Sequence, residues 1–236
     1  MKVIGLIGGM SWESTAEYYR IINETVKERL GGHHSAKIML YSVNFSELVK
    51  LQLEGRWQEA TEFMCEAARR VELGGAECIL ICTNTMHKMA AEVQRAVMIP
   101  LLHIADATAM EIKKKGIKRV ALLGTKYTME EEFYKGRLRA KYGFEVLIPP
   151  EEDRNILNQI IYDELCLGKV EGESKKLFVQ IIGGLENQGA EGVILGCTEI
   201  SLLIKQKDSP LELFDTTAIH ARAAVDFVLE GEKIGV

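Results

Sequence analysis

Several features that mark large classes of protein are missing from this sequence. No Lys/Arg-rich run occurs among its 236 residues, and the formal net charge at pH 7 is −5. Both facts argue against nucleic acid and anionic membranes as partners, because each of these requires concentrated positive charge. No apolar segment is long enough to anchor the chain in a membrane, and the N-terminus leads directly into an apolar strand pattern. We therefore expect a cytoplasmic protein.

The cysteines form neither the pattern of a disulfide framework nor that of a metal site. They are odd in number and scattered, at Cys65, Cys78, Cys82, Cys166 and Cys197. Reduced thiols in the cytosol fit this distribution better than disulfides. We expect no zinc site at Cys78, Cys82 and His87, since no second Cys/His pair completes it and Cys78 lies within an apolar strand.

Two glycine-rich nucleotide-binding motifs are also absent. The chain contains no G-x-x-x-x-G-K-[ST] sequence, and Gly5–Gly9 does not match the dinucleotide fingerprint. A phosphate-containing ligand is therefore a poor fit. The composition that is present, 47% apolar and 27% charged residues, is that of an ordinary soluble globular protein. Its length allows a sizeable core, in one large domain or in two small ones.

Apolar strand patterns alternate with helix patterns along the chain. The predicted strands include Val3–Ile7, Lys37–Val43, Cys78–Ile81, Pro100–Ile104, Val120–Leu123, Phe144–Ile148 and Pro210–Phe214. The segments between them show helical periodicity, as in Arg56–Leu73, which carries its apolar residues on one side. Strands that alternate with helices predict an α/β protein with mainly parallel sheets.

The second half of the chain repeats the first. Gly75–Thr85 aligns with Gly189–Glu199 without a gap, so that Thr83 falls on Cys197. Two further pairs recur in the same order, namely Val3–Gly8 with Val120–Gly124 and Pro100–Ala109 with Pro210–Ala218. We therefore predict two similar α/β domains related by a pseudo-twofold axis, 1–116 and 117–236, with the active site in the cleft between them. The last helix is expected to be able to pack on the first domain.

The carboxyl ends of parallel strands form the crevice in which such proteins bind ligands. Here the residues at the predicted ends are mostly small and polar, and each group precedes a helix N-terminus that offers N–H donors. They are Gly8-Gly9-Met10-Ser11, Thr83-Asn84-Thr85, Gly124-Thr125 and Cys197-Thr198-Glu199. Such a pocket suits a small carboxylate.

Two of these segments resemble the paired signatures of the aspartate/glutamate racemase family. They are Ile79–His87 and Val193–Ile200. The resemblance spans the whole chain, and Gly8–Ser14, Cys82–Lys88 and His103–Thr108 are most similar to bacterial aspartate/glutamate-specific or broad-specificity amino-acid racemases. It implies a two-domain α/β enzyme, assembled as a homodimer, that inverts the α-carbon of an amino acid with two cysteines and without pyridoxal phosphate or any other cofactor.

Racemisation needs one group that removes the α-proton and another, on the opposite face, that returns one. We expect Cys197 to be the main base, with its thiolate favoured by a helix N-terminus. In the usual family pattern a cysteine directly precedes Asn-Thr, whereas here Thr83 does and Cys82 stands one residue earlier. Since successive strand residues face opposite sides, we expect Thr83 to be the opposite proton donor, with unequal rates in the two directions. A local bulge that turns Cys82 inward is the alternative.

The remaining polar residues at the strand ends are expected to bind the substrate. The candidates are Met10, Ser11, Gln52, Asn84, Thr85, Thr125, Thr198 and Glu199. Asn84, Thr85 and Thr198 suit the α-carboxylate, because hydroxyl, amide and N–H groups donate hydrogen bonds to it. Glu199 suits the ammonium group or the orientation of a neighbour. For each residue taken alone, a helix cap is an equally good interpretation.

The sequence leaves the amino acid and the reaction class open. Aspartate racemases usually place an arginine after the second strand, but Asn44–Lys50 has none, and Cys166 falls where such enzymes carry a lysine. Lys50 and Arg56 have the pattern of surface residues. We expect aspartate and glutamate as substrates, with neutral polar amino acids such as homoserine as the alternative. A malonate-type decarboxylase, a maleate isomerase and a non-enzymatic amino-acid sensor are further alternatives.

Overall fold

The structure is a computed structural model that describes residues 1–230. Residues 231–236, the end of the expected second domain, lie outside the described residues. Within 1–230 the chain alternates strands with helices. The strands are β1 (Ile4–Gly8), β2 (Ile38–Ser42), β3 (Cys78–Ile81), β4 (Arg119–Gly124), β5 (Glu145–Leu147), β6 (Gly192–Gly196) and β7 (Glu212–Asp215). All their pairings are parallel, as the sequence predicts.

Eleven α-helices fall between and after the strands of the described chain. They are α1 (Trp12–Leu30), α2 (Phe45–Leu53), α3 (Trp57–Leu73), α4 (Ala90–Arg95), α5 (Ile104–Lys114), α6 (Lys126–Glu130), α7 (Glu132–Tyr142), α8 (Glu151–Asp163), α9 (Gly172–Asn187), α10 (Ile200–Leu203) and α11 (Thr216–Leu229). Short 3₁₀ helices occupy Thr85–Met89, Leu165–Leu167 and Gln206–Asp208.

Internal contacts divide the chain into two compact units. The first unit consists of Met1–Ile104 and the chain from His220 onward, and the second unit is Ala105–Ile219. The division therefore falls at Ile104, whereas the sequence-based boundary follows residue 116. Helix α5 makes the difference, because its Asp106 forms an ion pair with Arg137 of α7. Helix α11 begins in the second unit and continues in the first.

The two sheets share one topology. The first unit has the strand order β2-β1-β3, and the second has β5-β4-β6-β7. In the first unit Leu101 pairs with Ile79 through an isolated parallel bridge, in the position that β7 takes beside β6. Each sheet thus has the first strand of its half at the centre. This recurrence confirms the repeat that was predicted from the sequence.

The registers of the two ladders also agree with the repeat, whose segments Gly75–Thr85 and Gly189–Glu199 align without a gap. Ile4 of β1 pairs with Cys78 of β3, and Val120 of β4 pairs with Gly192 of β6. The alignment matches Cys78 with Gly192 and the β1 segment with the β4 segment. Thr83 follows Cys78 by as many residues as Cys197 follows Gly192, so the two occupy the same position in their own sheets.

The central strands β1, β3, β4 and β6 are buried, which is why they read as continuous apolar runs rather than as alternating patterns. In the first unit Ile7, Ile79 and Ile81 pack with helix α3. In the second unit Leu123, Val193 and Leu195 pack with helices α8 and α9. Strand β1 and helix α3 approach each other closely at Gly5, where an added Cβ would lie 2.3 Å from Val71 Cγ1 of α3. Each buried aliphatic side chain contributes roughly 1.5–3 kcal/mol to stability.

Candidate active site

A buried thiol and a buried carboxylate meet directly after strand β6. Cys197 Sγ donates a hydrogen bond to Glu199 Oε2 at 2.9 Å, and Thr198 Oγ1 donates to the same oxygen at 2.7 Å. Cys197 is 9% exposed and Glu199 3%. The backbone at the strand end is tightly held, because an added Cβ on Gly196 would lie 2.7 Å from the carbonyl oxygen of Leu123. The three consecutive residues therefore form one hydrogen-bonded cluster.

The surroundings of Cys197 favour its protonated thiol. Burial raises the pKa of Cys197 well above its ordinary value, and the negative charge of Glu199 raises it further. The expectation that a helix N-terminus lowers this pKa toward 7 is wrong for this structure. Helix α10 has only 4 residues, so its dipole is small, while the Glu199 carboxylate accepts a hydrogen bond from the thiol at 2.9 Å and so favours its protonated form.

Sequence reasoning missed the aromatic residues near this thiol. Burial raises the pKa of Tyr162 far above its usual value, and the charges of Cys197, Cys166, Tyr127 and Glu199 act in the same direction. Tyr162 therefore lies within electrostatic range of the thiol–carboxylate pair. A signal existed in the sequence, since Tyr162 and Cys166 are four residues apart beside Ile161 and Leu165 of the buried side.

Thr83 follows strand β3 at the position in the first sheet that Cys197 holds in the second. The preceding Cys82 donates its backbone N–H to Ile7 O at 2.9 Å, which continues the parallel ladder without a bulge. The Cys82 side chain is 0% exposed, and burial raises the pKa of its thiol. Thr83 is partly exposed. The two side chains therefore differ in access to solvent in the way that strand alternation predicts.

Most of the other candidates in the first unit follow β1 and β3, which are neighbouring strands, and Gln52 lies on helix α2 after β2. Asn84 and Thr85 are buried and come directly after Thr83, at the start of the 3₁₀ helix Thr85–Met89. Gln52 of α2 is buried, and its Nε2 donates to the sulfur of Met86 at 3.7 Å. Gln52 is thus held against the segment that follows β3.

The turn after β1 is fixed by one threonine. Gly9 N–H donates to Thr15 Oγ1 at 2.8 Å, and Thr15 Oγ1 donates to the carbonyl oxygen of Ser11 at 2.9 Å. Gly9 has a φ of 92°, and a Cβ there would lie 2.2 Å from Val43 O, so only glycine fits. Met10 and Ser11 are both buried in this turn.

The side chain of Thr125 caps helix α6. Its Oγ1 accepts a hydrogen bond from the backbone N–H of Thr128 at 3.3 Å, which makes it the N-cap of α6. This contact agrees with the interpretation of Thr125 as a cap. The second unit therefore contributes Thr125 after β4 and the cluster Cys197–Glu199 after β6, two neighbouring strands of its sheet.

The described residues contain neither a metal-site cluster nor a membrane-spanning helix. Among residues 1–230, no group of three or more His, Cys, Asp or Glu side chains has the arrangement of a metal site. No helix in the same range is both long and apolar enough to cross a membrane.

Comparison with known proteins gives a consistent family. A family model described as Asp/Glu/Hydantoin racemase matches residues 7–224. Among characterised sequences, the broad specificity amino-acid racemase RacX of Bacillus subtilis (strain 168) is 24% identical over 233 residues, which cover 96% of this chain and 98% of that protein.

Solved structures of similar proteins extend the comparison. A crystal structure from Yersinia pestis, provisionally described as an Asp/Glu racemase, is 55% identical with a TM-score of 0.91, and the match covers 97% of this chain and 100% of that one. An aspartate racemase homologue from Pyrococcus horikoshii OT3 is 41% identical with a TM-score of 0.83, covering 96% and 99% of the two chains.

Proposed function

Because this chain belongs to the Asp/Glu/Hydantoin racemase family, we propose that it is a cofactor-independent racemase that interconverts L- and D-aspartate and L- and D-glutamate. The observation that carries the proposal is the buried hydrogen bond from Cys197 Sγ to Glu199 Oε2. A thiol hydrogen-bonded to a carboxylate can act as an acid when protonated and as a base after it has passed its proton to the carboxylate. Racemisation needs an acid–base group on each face of the α-carbon.

The proposed role of Glu199 follows from the raised pKa of Cys197. The thiol passes its proton to Glu199, and the thiolate then removes the α-proton of the substrate. The positive ammonium group of the amino acid favours this transfer, because it stabilises the negative charge that moves onto sulfur. The α-carbanion is stabilised by hydrogen-bond donors directed at its developing negative charge.

Thr83 is proposed as the proton donor on the opposite face. Its hydroxyl gives a proton to the carbanion and takes one from solvent water, which reaches the partly exposed Thr83, so that no free alkoxide forms. A hydroxyl is a far weaker acid than a thiol and forms almost no anion near neutral pH, and we therefore expect unequal rates in the two directions. Cys82 is the alternative second group, but its complete burial in the first unit favours Thr83.

A broad-specificity racemase for neutral polar amino acids such as homoserine is a second candidate. The observation that favours it is the exposure of the two cations that follow the second strand in the chain, Lys50 and Arg56. Lys50 is exposed, and Arg56 is exposed and forms hydrogen bonds with Glu54 and Glu59 at 2.6 Å each. Neither is therefore a buried partner for the distal carboxylate of aspartate or glutamate.

The deciding experiment measures α-proton exchange and inversion in deuterated water with both enantiomers of aspartate, glutamate and homoserine. We expect the Cys197→Ser variant to lose both reactions and Thr83→Ala to lose inversion. Cys82→Ala is the matched control, and its full activity is expected. Loss of inversion in Cys82→Ala would instead identify a two-cysteine enzyme. No exchange with any substrate would contradict the racemase proposal and favour a decarboxylase or a binding protein.

A further inference from the structure

His87 is a buried imidazole whose two ring nitrogens are both engaged by the main chain. Its Nδ1 lies 2.8 Å from the carbonyl oxygen of Thr83, and its Nε2 lies 3.2 Å from the backbone N of Ile104. A carbonyl oxygen only accepts and a backbone N–H only donates, so Nδ1 carries the proton and Nε2 is the acceptor. His87 is thus neutral, in the Nδ1–H form.

A second buried imidazole supports the first. His220 Nε2 lies 2.7 Å from the carbonyl oxygen of Leu102, so this nitrogen carries its proton. Its Nδ1 then accepts a hydrogen bond from the Tyr18 hydroxyl at 2.8 Å. Burial lowers the pKa of His220 to about 4, which keeps it neutral as well. The rings of His87 and His220 pack with their centroids 5.7 Å apart.

The cluster of His87, His220 and Tyr18 therefore connects Thr83 to the segment from Leu102 to Ile104. That segment is where the chain leaves the first unit, and His220 is where it returns. All of these contacts lie within the first unit. The cluster therefore restrains the backbone of Thr83, because His87 bonds the carbonyl oxygen of this residue. The hydroxyl of the same residue is the proposed proton donor.

We propose that His87 is a positioning residue for Thr83, holding the backbone of Thr83 so that its hydroxyl is aimed at the substrate. This inference rests on the proposed racemase function and adds to it a requirement outside the strand ends. A proton donor displaced by about 1 Å can lose on the order of a hundredfold in rate. Of the two main-chain hydrogen bonds of His87, the one to the Thr83 carbonyl is therefore the one that inversion requires.

The chain offers a matched pair of substitutions that separates the two hydrogen bonds of His87. In His87→Asn the amide N–H takes the place of Nδ1–H and retains the bond to the Thr83 carbonyl. In His87→Gln the longer side chain places its amide oxygen near the former Nε2, where it retains the acceptor for Ile104 N–H. The two variants lose one bond each and differ in which one they lose.

The measurement is the ratio of inversion to exchange with retention in deuterated water. Retention needs one acid–base group, and inversion needs both, so the ratio reports on Thr83 and is independent of how much enzyme is folded. We expect His87→Gln to lower the ratio by roughly tenfold to a hundredfold, since a group displaced by about 1 Å can lose on the order of a hundredfold in rate. His87→Asn is expected to stay close to wild type. Val71→Ala, a truncation in the same core, is the stability control and should leave the ratio unchanged.

The outcomes separate this inference from the function on which it rests. Equal ratios for both His87 variants, whether lowered or unchanged, would overturn the positioning role while wild-type racemisation stands. A wild-type protein without any exchange would overturn the proposed function itself. If the variants do not fold, nitrogen-15 NMR of the wild-type histidines decides the point. The proposal requires His87 in the Nδ1–H form, and an Nε2–H form would contradict it.

Discussion

The two units place different chemistry on the same backbone. In each, the third strand lies beside the central strand in the same register, and a polar residue follows it at the same position. In the second unit that residue is Cys197, whose side chain donates to Glu199. In the first it is Thr83, whose main-chain carbonyl is bound by His87. The repeated sheet topology therefore determines the position of Cys197 and of Thr83, and the residues that contact each of them determine its chemistry.

The largest effect is expected from removing the thiol of the second unit. Cys197→Ser leaves a hydroxyl that is a far weaker acid than a thiol and forms almost no anion near neutral pH to remove the α-proton, so we expect inversion and exchange both to fall by roughly a thousandfold or more. Proton NMR of the α-hydrogen in deuterated water measures both. A variant that retained exchange with retention would show that the base lies elsewhere.

The next prediction concerns Glu199, which accepts the hydrogen bond of that thiol. In Glu199→Gln the negative charge beside Cys197 is gone, and since this charge raises the pKa of the thiol, the pKa should fall and thiolate should appear at lower pH. Turnover should nevertheless drop by on the order of 10²–10⁴, because no carboxylate accepts the thiol proton. The pH dependence of alkylation, corrected with Cys197→Ser, measures the pKa. An unchanged pKa would remove Glu199 from the proposed pair.

Thr83→Cys gives the first unit the reactive group of the second. A thiol at this position is a stronger acid than a hydroxyl, and its anion is accessible nearer to neutral pH, so we expect the slower direction to accelerate by roughly tenfold or more and the two directions to become similar. Initial rates from each enantiomer measure this change. If the difference between directions persisted, it would not originate at Thr83.

The smallest effect concerns two tyrosines at corresponding places in the two halves. Tyr18 Oη donates to His220 at 2.8 Å, whereas Tyr134 Oη lies 3.5 Å from Thr108 Oγ1. A short buried hydrogen bond contributes about 0.5–1.5 kcal/mol and a long one less, so Tyr18→Phe should destabilise more than Tyr134→Phe. Urea unfolding of the two variants measures the difference. Equal losses would contradict a special role for the imidazole cluster.

Much of this architecture is present in the residues themselves. The ungapped alignment of Gly75–Thr85 with Gly189–Glu199 predicts the matched ladders, because a strand repeated with the same turns pairs in the same register. The alternation of side chains along a strand likewise predicts that Cys82 and Thr83 differ in exposure, as they do. These are local properties of the chain.

Other features escape the sequence because they depend on which distant groups come together. The boundary between the units follows the contacts of α5, and the neighbours of Cys197 include Tyr162 from another helix. His87 reads as an ordinary polar residue until Ile104 and Thr83 are brought to its two nitrogens.

The sequence by itself determined the two α/β halves, the family and the strand ends at which polar groups gather. Only the tertiary structure decided the protonation of Cys197 and the fixed form of His87. The physical reason is that strand pairing follows from periodicity along the chain, whereas a pKa or a tautomer follows from burial and from charges and donors that approach through space.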